Sequence, residues 1–222
     1  DILLAYNVPL ETGISNAPSQ NVAKVRNRGF EFALTHRNTI GEVSYMVSAN
    51  IATNNNEITD LSSSNDIINN LENGHGVAKY ILREGESIGS FYGFESDGLY
   101  TQEEIDAGHY YTYGGVTPNA GDTKFVPQRE LDWGEEITDS DRTIIGCEVP
   151  DFTYGINLSV NYKNFEFSIF GQGICGADVA FEVYQVHPFF HGQDNPRRYH
   201  MGRWSEENPN PHAIYPRIYT AS

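Results

Sequence analysis

Four stretches of this chain alternate apolar and polar residues with a period of two, and that pattern leaves few folds open. Phe30, Phe32 and Leu34 share one side of a stretch whose other side is Glu31, Ala33 and Thr35. Val43, Tyr45, Val47, Ala49 and Ile51 oppose Ser44, Met46, Ser48, Asn50 and Ala52. Phe152, Tyr154, Ile156, Leu158, Val160 and Tyr162 oppose Thr153, Gly155, Asn157, Ser159 and Asn161. Phe165, Phe167 and Ile169 oppose Glu166, Ser168 and Gln172, with Phe170 out of step. Successive side chains of a strand point to opposite faces, so each stretch reads as a strand with one greasy side. The chain is expected to be all-β, with strands over about 26–37, 42–54, 152–163 and 165–174.

The connections are as informative as the strands. Short turns near Asn38–Gly41 and Lys163–Asn164 join the strands in pairs, whereas the connections over about 7–20, 55–150 and 175–222 are long. A β-sandwich shows the same alternation but has no reason to place its bulk at one end. An outer-membrane barrel does, with short periplasmic turns and long extracellular loops. No apolar run reaches the roughly 18 residues of a spanning helix, yet a spanning strand needs only about 9–11, alternate ones facing lipid. Phe152, Tyr154, Tyr162 and Phe165 fall near strand ends, where interfacial aromatic girdles belong. The fold expected is an antiparallel transmembrane β-barrel segment with long extracellular loops. Within them, Thr101-Gln102-Glu103-Glu104 has the capping-box pattern and predicts a short helix over 102–107, stopping at Gly108.

Charge narrows the partners. A formal net charge of −16 excludes general nucleic-acid binding, which needs a basic surface. Cys147 and Cys175 read as two isolated thiols rather than a disulfide framework or a zinc pair.

Several distinctive phrases follow one another along the chain. They are Asn27-Arg28-Gly29-Phe30-Glu31, Arg83-Glu84-Gly85-Glu86-Ser87-Ile88-Gly89-Ser90-Phe91-Tyr92-Gly93-Phe94 and Asp97-Gly98-Leu99-Tyr100. Gly121-Asp122, Ile137 to Gly146, Pro150 to Gly155, Phe170-Gly171-Gln172-Gly173 and Arg203-Trp204-Ser205-Glu206-Glu207-Asn208-Pro209 continue the series. Together these phrases resemble the SusC/RagA family of TonB-dependent outer-membrane transporters, and the resemblance implies part of a 22-stranded plugged barrel, with the plug, the TonB box and the last strands outside this sequence. It implies import of oligosaccharides or oligopeptides across outer-membrane lipid, energised by the TonB complex through the N-terminal part. It also implies a SusD-like surface lipoprotein as partner. The alternatives are a soluble or surface glycan- or peptide-binding β-module without transport and a polysaccharide-degrading enzyme. No catalytic constellation singles out two carboxylates or a nucleophile, so the chain is not expected to be an enzyme.

Glu130, Asp132 and Asp141 stand where family members carry a calcium-like loop. Gly134 and Glu135 replace the expected Asp and Gly, so a loop without metal is expected, and no cofactor. His187 and His191 flank a proline and two aromatics, and read as a surface loop. Aromatic clusters are the candidate binding elements, because aromatic faces stack on sugars and pack on peptides. Tyr110, Tyr111, Tyr113 and Trp133 are candidate ligand contacts, as are Phe189 and Phe190. Phe91, Tyr92 and Phe94 are expected to pack loops together or against the partner lipoprotein.

Overall fold

The computed structural model describes residues 2–5, 19–62, 66–70, 79–181 and 195–218, in two compact units. His187, His191, Phe189 and Phe190 lie outside the described residues. So does most of the expected 7–20 connection.

The first unit comprises Asp1–Asn70, Tyr80–Phe91 and Gly146–Val179. Its central feature is a four-stranded antiparallel sheet of β3 (Glu31–Ile40), β4 (Val43–Thr53), β14 (Phe152–Tyr162) and β15 (Phe165–Cys175), in the order β15-β14-β4-β3. Register matters most here, since a slip of one residue would exchange the two faces. Leu158 stands opposite Val47 and Ile169, Val160 opposite Tyr45 and Phe167, and Tyr154 opposite Ile51 and Gly173. Phe32 and Leu34 align with Ile51 and Ala49. The greasy sides of all four strands therefore merge into one continuous band. Glu31, Thr35, Ser48, Asn50, Asn157, Ser159, Asn161, Glu166 and Ser168 share the opposite face. Ala33, Met46, Ala52, Phe170 and Ile174 are apolar members of that polar face.

The apolar band lies open. Phe165 is 77% exposed, Phe167 60%, Ile169 55%, Leu34 60% and Ile156 52%. The turns that close the two hairpins are joined by an ion pair between Lys163 Nζ and Glu42 Oε2 at 3.2 Å.

A second antiparallel sheet joins β1 (Ile2–Ala5), β2 (Ser19–Arg28) and β5 (Asn55–Leu61) in the order β1-β2-β5. The strand expected over 26–37 is thus two strands. β2 ends at Arg28 and β3 begins at Glu31, with Gly29 packed so closely on the Thr53 backbone that a Cβ there would collide. β5 lies inside the stretch expected as loop. Its core residue Ile58 is fully buried with Ala23 and Leu82, while Lys24–Asp60 and Arg26–Glu57 ion pairs cross the two strands. The Arg83–Gly89 phrase clamps onto β5: Ile58 N donates to Glu86 O at 2.8 Å and Gly85 N to Ile58 O at 2.9 Å. The short strands β6 (Ile67–Asn70), β7 (Lys79–Leu82), β8 (Ser90–Gly93) and β13 (Thr143–Cys147) form a sheet in the order β13-β8-β7-β6.

The second unit comprises Leu71–Lys79, Tyr92–Ile145 and Ala180–Ser222. It contains the antiparallel pair β9 (Ser96–Leu99) and β11 (Thr123–Phe125), and the parallel pair β10 (Thr112–Tyr113) and β12 (Glu136–Ile137). Its one α-helix among the described residues, α1, spans Gln102–Asp106 with C-cap Ala107. The capping box is formed: Glu104 N donates to Thr101 Oγ1 at 3.2 Å and Thr101 N donates back to Glu104 Oε2 at 2.9 Å. Such reciprocal bonds satisfy backbone donors that a helix start leaves orphaned.

Candidate functional site

Three phrases far apart in sequence meet in the second unit. Gly121 adopts a φ of +86°, a conformation open to glycine, and the Trp204 indole lies against it so closely that any Cβ would collide. Gly121 N donates to Tyr100 O at 2.8 Å, Tyr100 N to Asp122 O at 2.9 Å, and Arg217 N to Gly121 O at 2.9 Å. The Asp97–Tyr100, Gly121-Asp122 and Arg203-Trp204 phrases thereby form one knot.

The knot borders a cavity of about 530 Å³. Tyr100, Tyr111, Tyr113, Phe125 and Tyr215 supply aromatic walls, Val116, Pro118 and Ile137 add apolar surface, and Asp122 and Arg217 bring charge. Cavities of this size with mostly apolar walls and few polar groups are typical ligand sites. Asn119 N donates to Asp122 Oδ2 at 2.7 Å. Asp122 Oδ1 is buried and accepts no hydrogen bond among the described residues, and Arg217 Nε lies 3.4 Å away, at ion-pair rather than hydrogen-bond alignment. A buried acceptor without a hydrogen-bond donor is costly, and the neighbouring Arg217 charge offsets part of that cost. Burial pushes the Tyr100 phenol above its ordinary range, although the hydrogen bond from Tyr111 N at 3.1 Å pulls the other way.

The candidate aromatics divide. Tyr111 and Tyr113 line the cavity. Trp133 does not line it but stacks on Tyr111, with ring centroids 4.8 Å apart and an interplanar angle of 28°, and stays 55% exposed. Tyr110 is half-buried outside the cavity, its carbonyl accepting from Gly134 N at 2.7 Å. Phe94 meets Tyr113 edge-on at 5.3 Å and carries the Arg142 guanidinium 4.3 Å above its ring. In the first unit Phe91 is buried and stacks on Tyr80 at 5.3 Å. Tyr92 is half-buried. The reading of the sequence missed Tyr100, Asp122, Phe125, Tyr215 and Arg217 as site residues. Tyr100 and Asp122 stood in the family phrases, but nothing local marked them as neighbours.

The calcium-like loop is organised around an ion pair. Asp141 is fully buried, and Arg129 Nε lies 3.1 Å from its Oδ1. Thr138 N donates to Oδ2 at 2.9 Å and Gln128 N to Oδ1 at 3.3 Å. Burial alone would raise the carboxyl's pKa. The backbone bond from Thr138 and the Arg129 guanidinium outweigh it and hold the pKa below the ordinary carboxylate value. Glu130 and Asp132 are exposed and take no part in this pair. Among the described residues no group of three or more His, Cys, Asp or Glu is placed to hold a metal ion.

No protein-family model matches the chain. It is 33% identical over 213 residues to TonB-dependent receptor P3 of Formosa agariphila, a match that covers 95% of this chain and 20% of that protein. It is 26% identical over 178 residues to the TonB-dependent receptor SusC of Bacteroides thetaiotaomicron, covering 76% of this chain and 16% of the relative. The chain thus spans about one fifth of the length of the curated relatives it matches. A solved structure of the RagAB peptide transporter superposes with a TM-score of 0.66 at 20% identity, covering 97% of this chain and 22% of that one, which shows a shared fold. Sequence identity on one side and the shared antiparallel strand scaffold on the other place the chain in the SusC/RagA family of TonB-dependent outer-membrane receptors.

Proposed function

We propose that the chain forms part of an importer that carries oligomeric nutrients, oligosaccharides or oligopeptides, across the outer membrane. The observation that carries this reading is the registered apolar band on the β15-β14-β4-β3 sheet. From Phe152 to Tyr162 the band runs ten residue steps, about 33 Å along the strand and about 25 Å high at a 40° tilt, the height of a barrel's lipid-facing belt. The polar face, with Asn50, Asn157, Ser159 and Asn161, turns toward the water-filled interior. In this reading the strands lie in a 22-stranded plugged barrel, and a SusD-like surface lipoprotein delivers cargo to it. The TonB complex, acting through the N-terminal part of the receptor, supplies the energy. The aromatic cavity beside Tyr111 and Tyr113 receives one unit of the oligomer, which packs against the tyrosine rings.

The experiment is purification of the whole receptor from outer membranes, followed by cargo uptake with and without a functional TonB complex. The expected result is a detergent-requiring complex that retains a lipoprotein, and uptake that stops without TonB. Recovery as a water-soluble protein with no lipoprotein would contradict the reading.

A further inference from the structure

A second recess in the loop unit has a different chemistry. It measures about 330 Å³ and is lined by Arg197, Arg198, Arg203, His200, Met201 and Ile218, with Pro196. Three arginines in one recess are unexpected in a chain with 30 acidic and 14 basic residues. Five of the seven guanidinium groups outside the recess answer carboxylates, in Arg26–Glu57, Arg83–Asp66, Arg129–Asp141, Arg142–Asp139 and Arg217–Asp122. Arg197 and Arg198 are exposed and have no carboxylate within ion-pair distance among the described residues. Arg203 reaches the His200 carbonyl at 3.5 Å, and its charge adds to the Glu207 backbone and Ser205 hydroxyl bonds that hold the Glu207 carboxyl below its ordinary pKa. The buried His200 ring fixes the segment by accepting from Arg197 N at 2.8 Å through Nδ1, and it meets Tyr199 at a tilt and Tyr215 edge-on. Ile218 lines both this recess and the tyrosine cavity, so the two are neighbours.

We propose that the arginine recess binds an oxyanion, carboxylate or sulfate, carried on the same oligomer whose neighbouring unit occupies the tyrosine cavity. Planar guanidinium forks match such groups in geometry and charge. A concentrated positive site is also what an anionic oligomer needs to approach a chain of net charge −16, whereas a neutral cargo has no use for it. This inference deepens the import reading and rests on it for the oligomeric nature of the ligand.

Binding to the detergent-purified whole receptor tests the recess without requiring transport, so its failure is distinct from a failure of import. The probes are an oligogalacturonate, a sulfated oligogalactan, a glutamate-rich peptide and neutral maltohexaose. The wild-type receptor is expected to bind an anionic probe, with affinity that weakens as salt rises. The Arg197→Gln/Arg198→Gln double variant is expected to lose about tenfold for that probe and its salt dependence, whereas Arg197→Lys/Arg198→Lys loses less. Affinity for maltohexaose, if any, is expected to stay unchanged, and an unaltered unfolding temperature shows that the variants fold. Whether the acidic sugar or the acidic peptide binds identifies the source of the oxyanion. Wild-type receptor that binds none of the anionic probes, or Gln variants that bind them as wild type does, would overturn the proposal.

Discussion

Arg129 and Asp141 form a pair of unequal burial: the carboxylate is fully enclosed, while the guanidinium remains 45% exposed. The carboxylate also accepts from Thr138 N and Gln128 N, so it fixes both ends of the 128–141 loop. Asp141→Ala leaves those donors unanswered. With the discount that Arg129's exposure demands, the cost is on the order of 2–3 kcal/mol. Limited proteolysis of the whole receptor should then cut within this loop, whereas Glu130→Ala and Asp132→Ala should leave the pattern unchanged.

The same pair sets a pH dependence. Because the folded-state pKa of Asp141 lies below its unfolded value, its stabilisation is complete above the ordinary carboxylate pKa of about 3.9 and is lost as pH falls through the folded value. Protease resistance of the loop should be flat from neutral pH down to about 5 and decline below about 4. Asp141→Asn should remove that acid-dependent step.

Tyr154 and Gly173 offer a test of packing on the band. The tyrosine ring lies over the glycine of the neighbouring strand where a Cβ would collide, while Gly171 has open space at the same point. Gly173→Val should force the ring away and cost about 1–3 kcal/mol, read as a lower unfolding temperature of the receptor in detergent. Gly171→Ala should be nearly neutral.

In the tyrosine cavity, removing an aromatic wall should weaken cargo binding without unfolding the receptor. Tyr113→Ala and Tyr111→Ala are each expected to cost about 1–2 kcal/mol, roughly five- to thirtyfold in affinity. Trp133→Ala, which removes only the stack behind Tyr111, should cost less. Equal binding by all three variants would remove the cavity from the cargo route.

The parts legible in the sequence were those in which one side chain in two reports the environment. β3, β4, β14 and β15 carry mainly apolar side chains on one face and mainly polar ones on the other, so their alternation survives unblurred. β5 was illegible because Ile58 alone is deeply buried while Glu57 and Asp60 serve cross-strand ion pairs, a composition that reads as loop. The capping box was legible because its four residues carry their own geometry. The cavity was not: Tyr100, Asp122 and Tyr215 come together through the Gly121–Trp204 contact and the backbone bonds around it, which no local pattern announces.

The central claim is that the greasy sides of the strands meet hydrocarbon, and a cysteine scan along β14 tests it most directly. Single cysteines at residues 153–161 of the whole receptor, labelled with an environment-sensitive dye in vesicles of brominated lipid, would report contact with acyl chains. Strong quenching is expected at Tyr154, Ile156, Leu158 and Val160, and little at Thr153, Asn157, Ser159 and Asn161. Quenching that ignores this alternation, or that favours the asparagines and serine, would contradict it.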